Sequence, residues 1–137
     1  MRRTAPLLLT LALVACGGDG AEPPAATPPM SADEQAIRHT LERYVAAVRA
    51  NDATAVCRLT AREVLDTIEA IGTDCESVIG EQVAEGGPRY QLTTESVQVT
   101  GDYAMTRGRA AESDGPRDGD QPLVREGGRW LLTTKAR

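Results

Sequence analysis

The chain has 137 residues, room for one ordinary domain and not two. Its formal net charge of −5 argues against nucleic acid, where phosphate neutralisation supplies most of the affinity, and against electrostatic adhesion to anionic lipid. There is no Phe, one Trp and three Tyr, so the core must rest on Leu, Val, Ile and Ala; Lys135 is the only lysine.

The chain opens with Arg2 and Arg3, then an apolar stretch from Leu7 to Ala15. That pattern fits a secretory signal and is too short to span a bilayer as a helix. It ends Leu13-Val14-Ala15-Cys16, which resembles the lipobox of bacterial lipoproteins: an aliphatic residue, two small or aliphatic residues, then cysteine. The resemblance implies that residues 1–15 are removed and that Cys16 carries a diacylglyceryl group as the new N-terminus. The domain would then sit on the outer, extracytoplasmic face of the cell membrane. The plainer alternative is an ordinary cleaved signal with a coincidental cysteine. Residues 16–30 are glycine-rich in front and proline-rich behind, with almost nothing to bury. They read as the lipidated cysteine and a semi-extended tether. The folded domain is expected over residues 31–137.

If Cys16 is acylated, Cys57 and Cys75 remain, and an even pair in an oxidising compartment normally closes. Two buried free thiols are the alternative. Two sulfurs and the distant His39 do not make a zinc site, and no metal is expected.

Helix starts are marked by Ser31-x-x-Glu34, Thr60-x-x-Glu63 and Thr73-x-x-Glu76, each with capping-box spacing. Ile37, Leu41, Tyr44, Val45 and Val48 form one apolar stripe. Asn51-Asp52 breaks it, and Asp52 can cap a short second helix carrying Val56 and Leu59. After a break at Thr60, Val64, Leu65, Ile68 and Ile71 make the next stripe, which Gly72 ends. A further helix from about Asp74 carries Val78, Ile79 and Val83 and stops at Gly86-Gly87-Pro88.

From Arg89 the period changes to two. Tyr90 and Leu92 face one way and Val97 and Val99 follow on a shifted register, which predicts a bulge near Glu95. Gly101-Asp102 is a turn, and Tyr103 to Ala111 a strand. Glu112 to Asp120 reads as a Gly-, Pro- and Asp-rich solvated loop. Gln121–Glu126 and Arg129–Thr134 are two more strands, joined by the two-residue turn Gly127-Gly128. Helices first and an antiparallel meander after reads as α+β, with helices packed on one face of a curved antiparallel sheet of about four strands.

That order, with the segment from Glu42 to Asp52, resembles the opening of the NTF2-like superfamily. Pro122 to Leu132 is similar to that family's final hairpin. The resemblance covers about Ser31 to Thr134 and implies a cone of helices and bent sheet. It points to small NTF2-like lipoproteins of actinobacteria, many with a cysteine pair placed like Cys57 and Cys75. It also implies that a homodimer through the open sheet face is an option. The Arg43–Val48 segment is similar to bacterial ketosteroid isomerases, where the tyrosine matching Tyr44 donates to a developing oxyanion. Those enzymes also need a carboxylate base. Asp66 and Glu69 fall off their helix's apolar stripe, and an oxyanion donor without a base cannot abstract a proton.

Tyr44, Tyr103, Met105 and Trp130 are the residues that could line a ligand cavity. For Tyr44 and Trp130 the alternative is ordinary core packing. His39 lies off its helix's stripe and reads as solvated. Asp114, Asp118 and Asp120 lack the spacing of a calcium loop. No catalytic residue and no cofactor site emerge, and no phosphate loop or nucleophile elbow is present. The reading is a membrane-anchored, non-catalytic domain binding a small ligand or a protein partner. The alternatives are an isomerase or dehydratase built around Tyr44, and an accessory module of a cell-envelope complex.

Overall fold

The computed structural model describes residues 29–112 and 115–135. The expected signal, Cys16 and most of the expected tether lie outside the described residues. Four helices come first: α1 (Ala32–Arg49), α2 (Ala53–Arg58), α3 (Arg62–Ala70) and α4 (Cys75–Gly86). Four strands come after them: β1 (Gln91–Thr100), β2 (Tyr103–Glu112), β3 (Gly115–Glu126) and β4 (Arg129–Leu132). The strands form one antiparallel sheet in chain order, so the expected α+β arrangement is the observed one.

α1 begins where the Ser31 hydroxyl accepts the Glu34 N–H at 3.1 Å. Only half of the capping box forms. The Glu34 carboxylate turns to Arg38 one turn along, at 2.9 Å. Ile37, Thr40, Leu41, Ala47 and Val48 make the buried stripe of α1. Asn51 then takes a left-handed conformation (φ 53°), and Asp52 caps α2 by accepting from the Ala55 N–H at 2.9 Å.

The two other expected caps are corrected. Thr60 does not cap α3: its hydroxyl donates back to the Val56 carbonyl at 3.0 Å, and the N-cap is Ala61 with no side-chain bond. The cause is tertiary. The backbone at Leu59–Ala61 lies parallel to β4, accepting from the Leu132 N–H at 2.7 Å and donating to its carbonyl at 2.8 Å. Thr73 likewise yields to Asp74, which accepts the Ser77 N–H at 2.9 Å. A carboxylate at a helix N-terminus is also favoured by the helix dipole.

In the sheet, the register of β1 against β2 shifts between Thr94 and Ser96, at the expected bulge. There the Thr93 carbonyl comes so close to Gly108 that a Cβ on Gly108 would sit 2.2 Å from its oxygen. Gly127 and Gly128, at φ 55° and 77°, turn β3 into β4. The stretch from Glu112 to Asp120 departs from expectation. From Gly115 it is paired strand, held by Arg109–Asp118 and Arg107–Asp120 directly across the ladder. Asp114 lies outside the described residues.

Successive sheet residues alternate between two faces. Ala104, Leu123, Trp130 and Leu132 point inward and pack with Ile37, Leu41 and Leu59. A second cluster, Ala47, Val48, Val56, Val83 and Tyr90, joins α1, α2 and α4. The Cys57–Cys75 disulfide links α2 to the start of α4, with 6.0 Å between Cα atoms. Arg38 donates to the Thr94 carbonyl at 3.2 Å and Arg49 to the Tyr90 carbonyl at 2.6 Å, tying α1 to β1 and its approach.

Candidate functional site

A cavity of about 160 Å³ lies where all four helices and the sheet converge. α1 contributes Tyr44. The α2–α3 corner contributes Val56, Thr60 and Val64. α4 contributes Ile79, Gln82 and Val83, β3 and β4 contribute Gln121 and Leu132, and Thr133 and Thr134 follow from the segment after β4. The Tyr44 ring meets Tyr90 edge-on, with centroids 6.0 Å apart, which fixes its orientation.

The lining is aliphatic with neutral polar groups, several already committed. Thr60 donates to Val56. Gln121 spends its amide N–H groups on the carbonyls of Pro122 (2.8 Å) and Thr133 (3.2 Å), leaving its amide oxygen as the acceptor it can offer. The Thr133 hydroxyl donates to Glu63 Oε1, whose other oxygen takes Lys135 Nζ at 2.8 Å. Glu63 is therefore an ion-paired carboxylate behind Thr133 and not a member of the lining. Among the described residues that line the cavity there is no carboxylate, imidazole or amine.

Perturbed acids sit elsewhere. Hydrogen bonding from Arg109 holds Asp118 below the usual carboxylate range, and hydrogen bonding from Arg107 does the same for Asp120, both on the outer sheet face. Asp74 is lowered by its bonds to Ser77 at the α4 cap. None of the three touches the cavity. A larger open groove of about 360 Å³ runs between α1 and β1, but Arg38 and Arg49 on its walls are already bound to Glu34, Thr94 and Tyr90.

The four residues expected to line one cavity are not brought together. Tyr44 lines it. Trp130 is only 3% exposed, packs in the main cluster against α1, and donates its indole N–H to Asp33 at 3.2 Å. Tyr103 and Met105 fall on the other face of the sheet, because their neighbours Ala104 and Thr106 are the buried ones. Tyr103 packs there against Ala61, Val124 and Leu131. His39 is exposed, 3.8 Å from Glu42. Asp66 and Glu69 face solvent beside Arg62, as expected. Gln82, Gln121 and Thr133 escaped the sequence reading. Ile79 and Val83 carried a signal through the α4 stripe, but isolated polar residues carry none.

No protein-family model and none of the curated proteins matches the chain. Solved structures do. An NTF-2-like protein of unknown function from Silicibacter pomeroyi aligns with a TM-score of 0.55 at 18% identity, covering 75% of this chain and 93% of that one. A variant of the protein Rd1NTF2_05 aligns with a TM-score of 0.53 at 10% identity, covering 73% and 94%. At such identity the likeness defines the fold alone, and the fold is NTF2-like.

Proposed function

We propose that this NTF2-like domain is the exported part of a lipoprotein, anchored through Cys16 on the outer face of the membrane, and that it binds a small, uncharged, largely apolar molecule beside Tyr44 without transforming it. The observation that carries the binding reading is the neutral lining. Proton abstraction next to a carbonyl needs a base within hydrogen-bond reach of the substrate. The cavity offers a tyrosine, the Gln82 carboxamide, the Gln121 amide oxygen, threonine hydroxyls and aliphatic walls. That set orients a ligand and does not move its protons. The volume, about 160 Å³, is below the range typical of drug-sized ligands and suits a molecule of a few heavy atoms.

Native mass spectrometry of the exported protein tests this. A bound small molecule is expected, absent from the Gln82→Trp variant, which fills the mouth from an exposed position on α4. No adduct on the wild-type protein, together with no thermal stabilisation by benzene as an apolar probe, would reject the binding role. The anchor is tested separately. Cys16→Ser should abolish metabolic lipid labelling, and undiminished labelling would remove Cys16 as the lipid site.

A further inference from the structure

Most arginines here are spent. Arg38 holds Glu34, Arg49 holds the Tyr90 carbonyl, and Arg62 holds Asp66. Arg107 and Arg109 hold strand aspartates, and Arg125 holds Asp33 and Asp102. Arg43, Arg58, Arg89 and Arg129 are not, and of these Arg43 and Arg129 stand together. Among the described residues, neither side chain has an ion pair or a hydrogen bond. Yet both line one cleft of about 180 Å³ between α1 and the β3–β4 hairpin, and His39 lines it with them. Its floor is apolar and buried: Leu59, Trp130 and Leu131.

His39 and Arg43 are one helical turn apart, so they share a face of α1. Arg129 approaches from the hairpin. Asp33 and Glu126 are engaged elsewhere. Asp33 takes Arg125 and Trp130, and Glu126 accepts the Arg62 N–H at 3.2 Å. Glu42 stands 3.8 Å from His39. In a chain of net charge −5, two guanidiniums share a concave site with no counter-ion of their own. Bringing like charges together costs free energy that a bound anion recovers.

We propose that this cleft binds a phosphate group. Guanidinium forks match phosphate oxygens bidentately, and donors arriving from two separate elements suit a tetrahedral acceptor better than a planar one. His39 adds a further ring N–H. A cavity of this size holds a phosphate with some of its water, at about 30 Å³ per water. The net negative charge of the chain opposes unspecific adsorption of anions, so binding must be local to the cleft. The site shares no lining residue with the Tyr44 cavity and does not depend on the reading of that cavity.

The phosphate could be free or borne on a lipid headgroup, and two arms of one experiment separate these. The full chain is titrated with inorganic phosphate at constant ionic strength while amide signals are followed by NMR. In parallel it is mixed with vesicles of neutral phosphatidylcholine, with and without phosphatidylglycerol. Saturable shifts centred on Gly128 and Arg129, weakened at least tenfold in Arg43→Gln/Arg129→Gln and unchanged in Arg89→Gln, support the site with free phosphate as ligand. Arg89 is the control because it is exposed and unpaired but outside the cleft. Binding only to phosphatidylglycerol vesicles, with the same dependence on variants, supports it with a headgroup as ligand. Binding in neither arm, or equal loss in Arg89→Gln, overturns it.

Discussion

The guanidinium of Arg125 stacks over the ring of Trp130, 5.1 Å from its centre, and both side chains donate to the same oxygen of Asp33. Arg125 also reaches the Asp102 carboxylate at 3.0 Å and the Gly101 carbonyl at 3.2 Å. One side chain thus fastens the start of α1, the β1–β2 turn and the β3–β4 hairpin. Asp33→Ala leaves a buried indole N–H without its acceptor. Such a loss costs about 1–3 kcal/mol, several degrees in Tm for a domain this size. Trp130 is the only tryptophan, so its own fluorescence reports the transition. An unchanged melting temperature would show that the node is decorative.

The disulfide should be worth more than any surface pair. It closes a loop with a sequence separation of 18 and joins α2 to α4, both of which line the Tyr44 cavity. Chain entropy for a loop of that order gives about 3 kcal/mol. Cys57→Ser/Cys75→Ser should lower the urea midpoint accordingly. Intact-mass measurement of the protein purified without reductant should find the pair two hydrogens lighter than the dithiol; finding the dithiol would contradict the bond.

Glycine is required at one strand position and free at another. Gly108→Ala drives a methyl into the Thr93 carbonyl, which is backbone and cannot swing aside. Overpacking of this kind costs about 1–3 kcal/mol. Gly119→Ala, opposite it on β3, meets nothing within 4 Å and should be close to neutral. Equal urea midpoints for the two variants would mean that the sheet relaxes around the bulge.

Acid should act on the outer sheet face and on the α4 cap. Asp118, Asp120 and Asp74 have folded-state pKa values below the ordinary carboxylate value. Groups lowered on folding contribute stability above the unfolded value, about 3.9 for aspartate, and lose it as pH falls through the lower folded value. Stability is therefore expected to hold at neutral pH and decline below about pH 5. Asp118→Asn/Asp120→Asn should flatten that decline. Molar salt should flatten it too, because these pairs are exposed and screened. An acid limb with the same slope in the double variant would place the protons elsewhere.

Much of this architecture is readable from residue order alone, because local signals and packing agree. The Ile37-to-Val48 stripe, the break at Thr60, the bulge at Glu95 and the Gly127-Gly128 turn each declare themselves. The failures share a cause, which is that distant partners outvote local chemistry. Thr60 has the spacing of a cap, but β4 draws the backbone around it into a parallel bridge. The Gly115–Asp120 stretch has the composition of a loop, yet arginines on β2 hold it in the sheet through charge and not through apolar alternation. The cavity was half legible: Tyr44 stands on a visible stripe. Gln82, Gln121 and Thr133 come from elements whose convergence no local pattern encodes.

The backbone bridge from Leu59–Ala61 to β4 has one more effect. A sheet grows by recruiting strands at its margins, and that is how folded proteins seed fibrils. At the β4 margin this chain supplies its own short strand segment. At the β1 margin, Arg38 occupies the Thr94 carbonyl, Arg49 occupies the Tyr90 carbonyl just before the strand, and the bulge bends the remainder of β1. Among the described residues, both margins of the sheet are thus partly occupied by the chain's own groups, which works against edge-to-edge pairing.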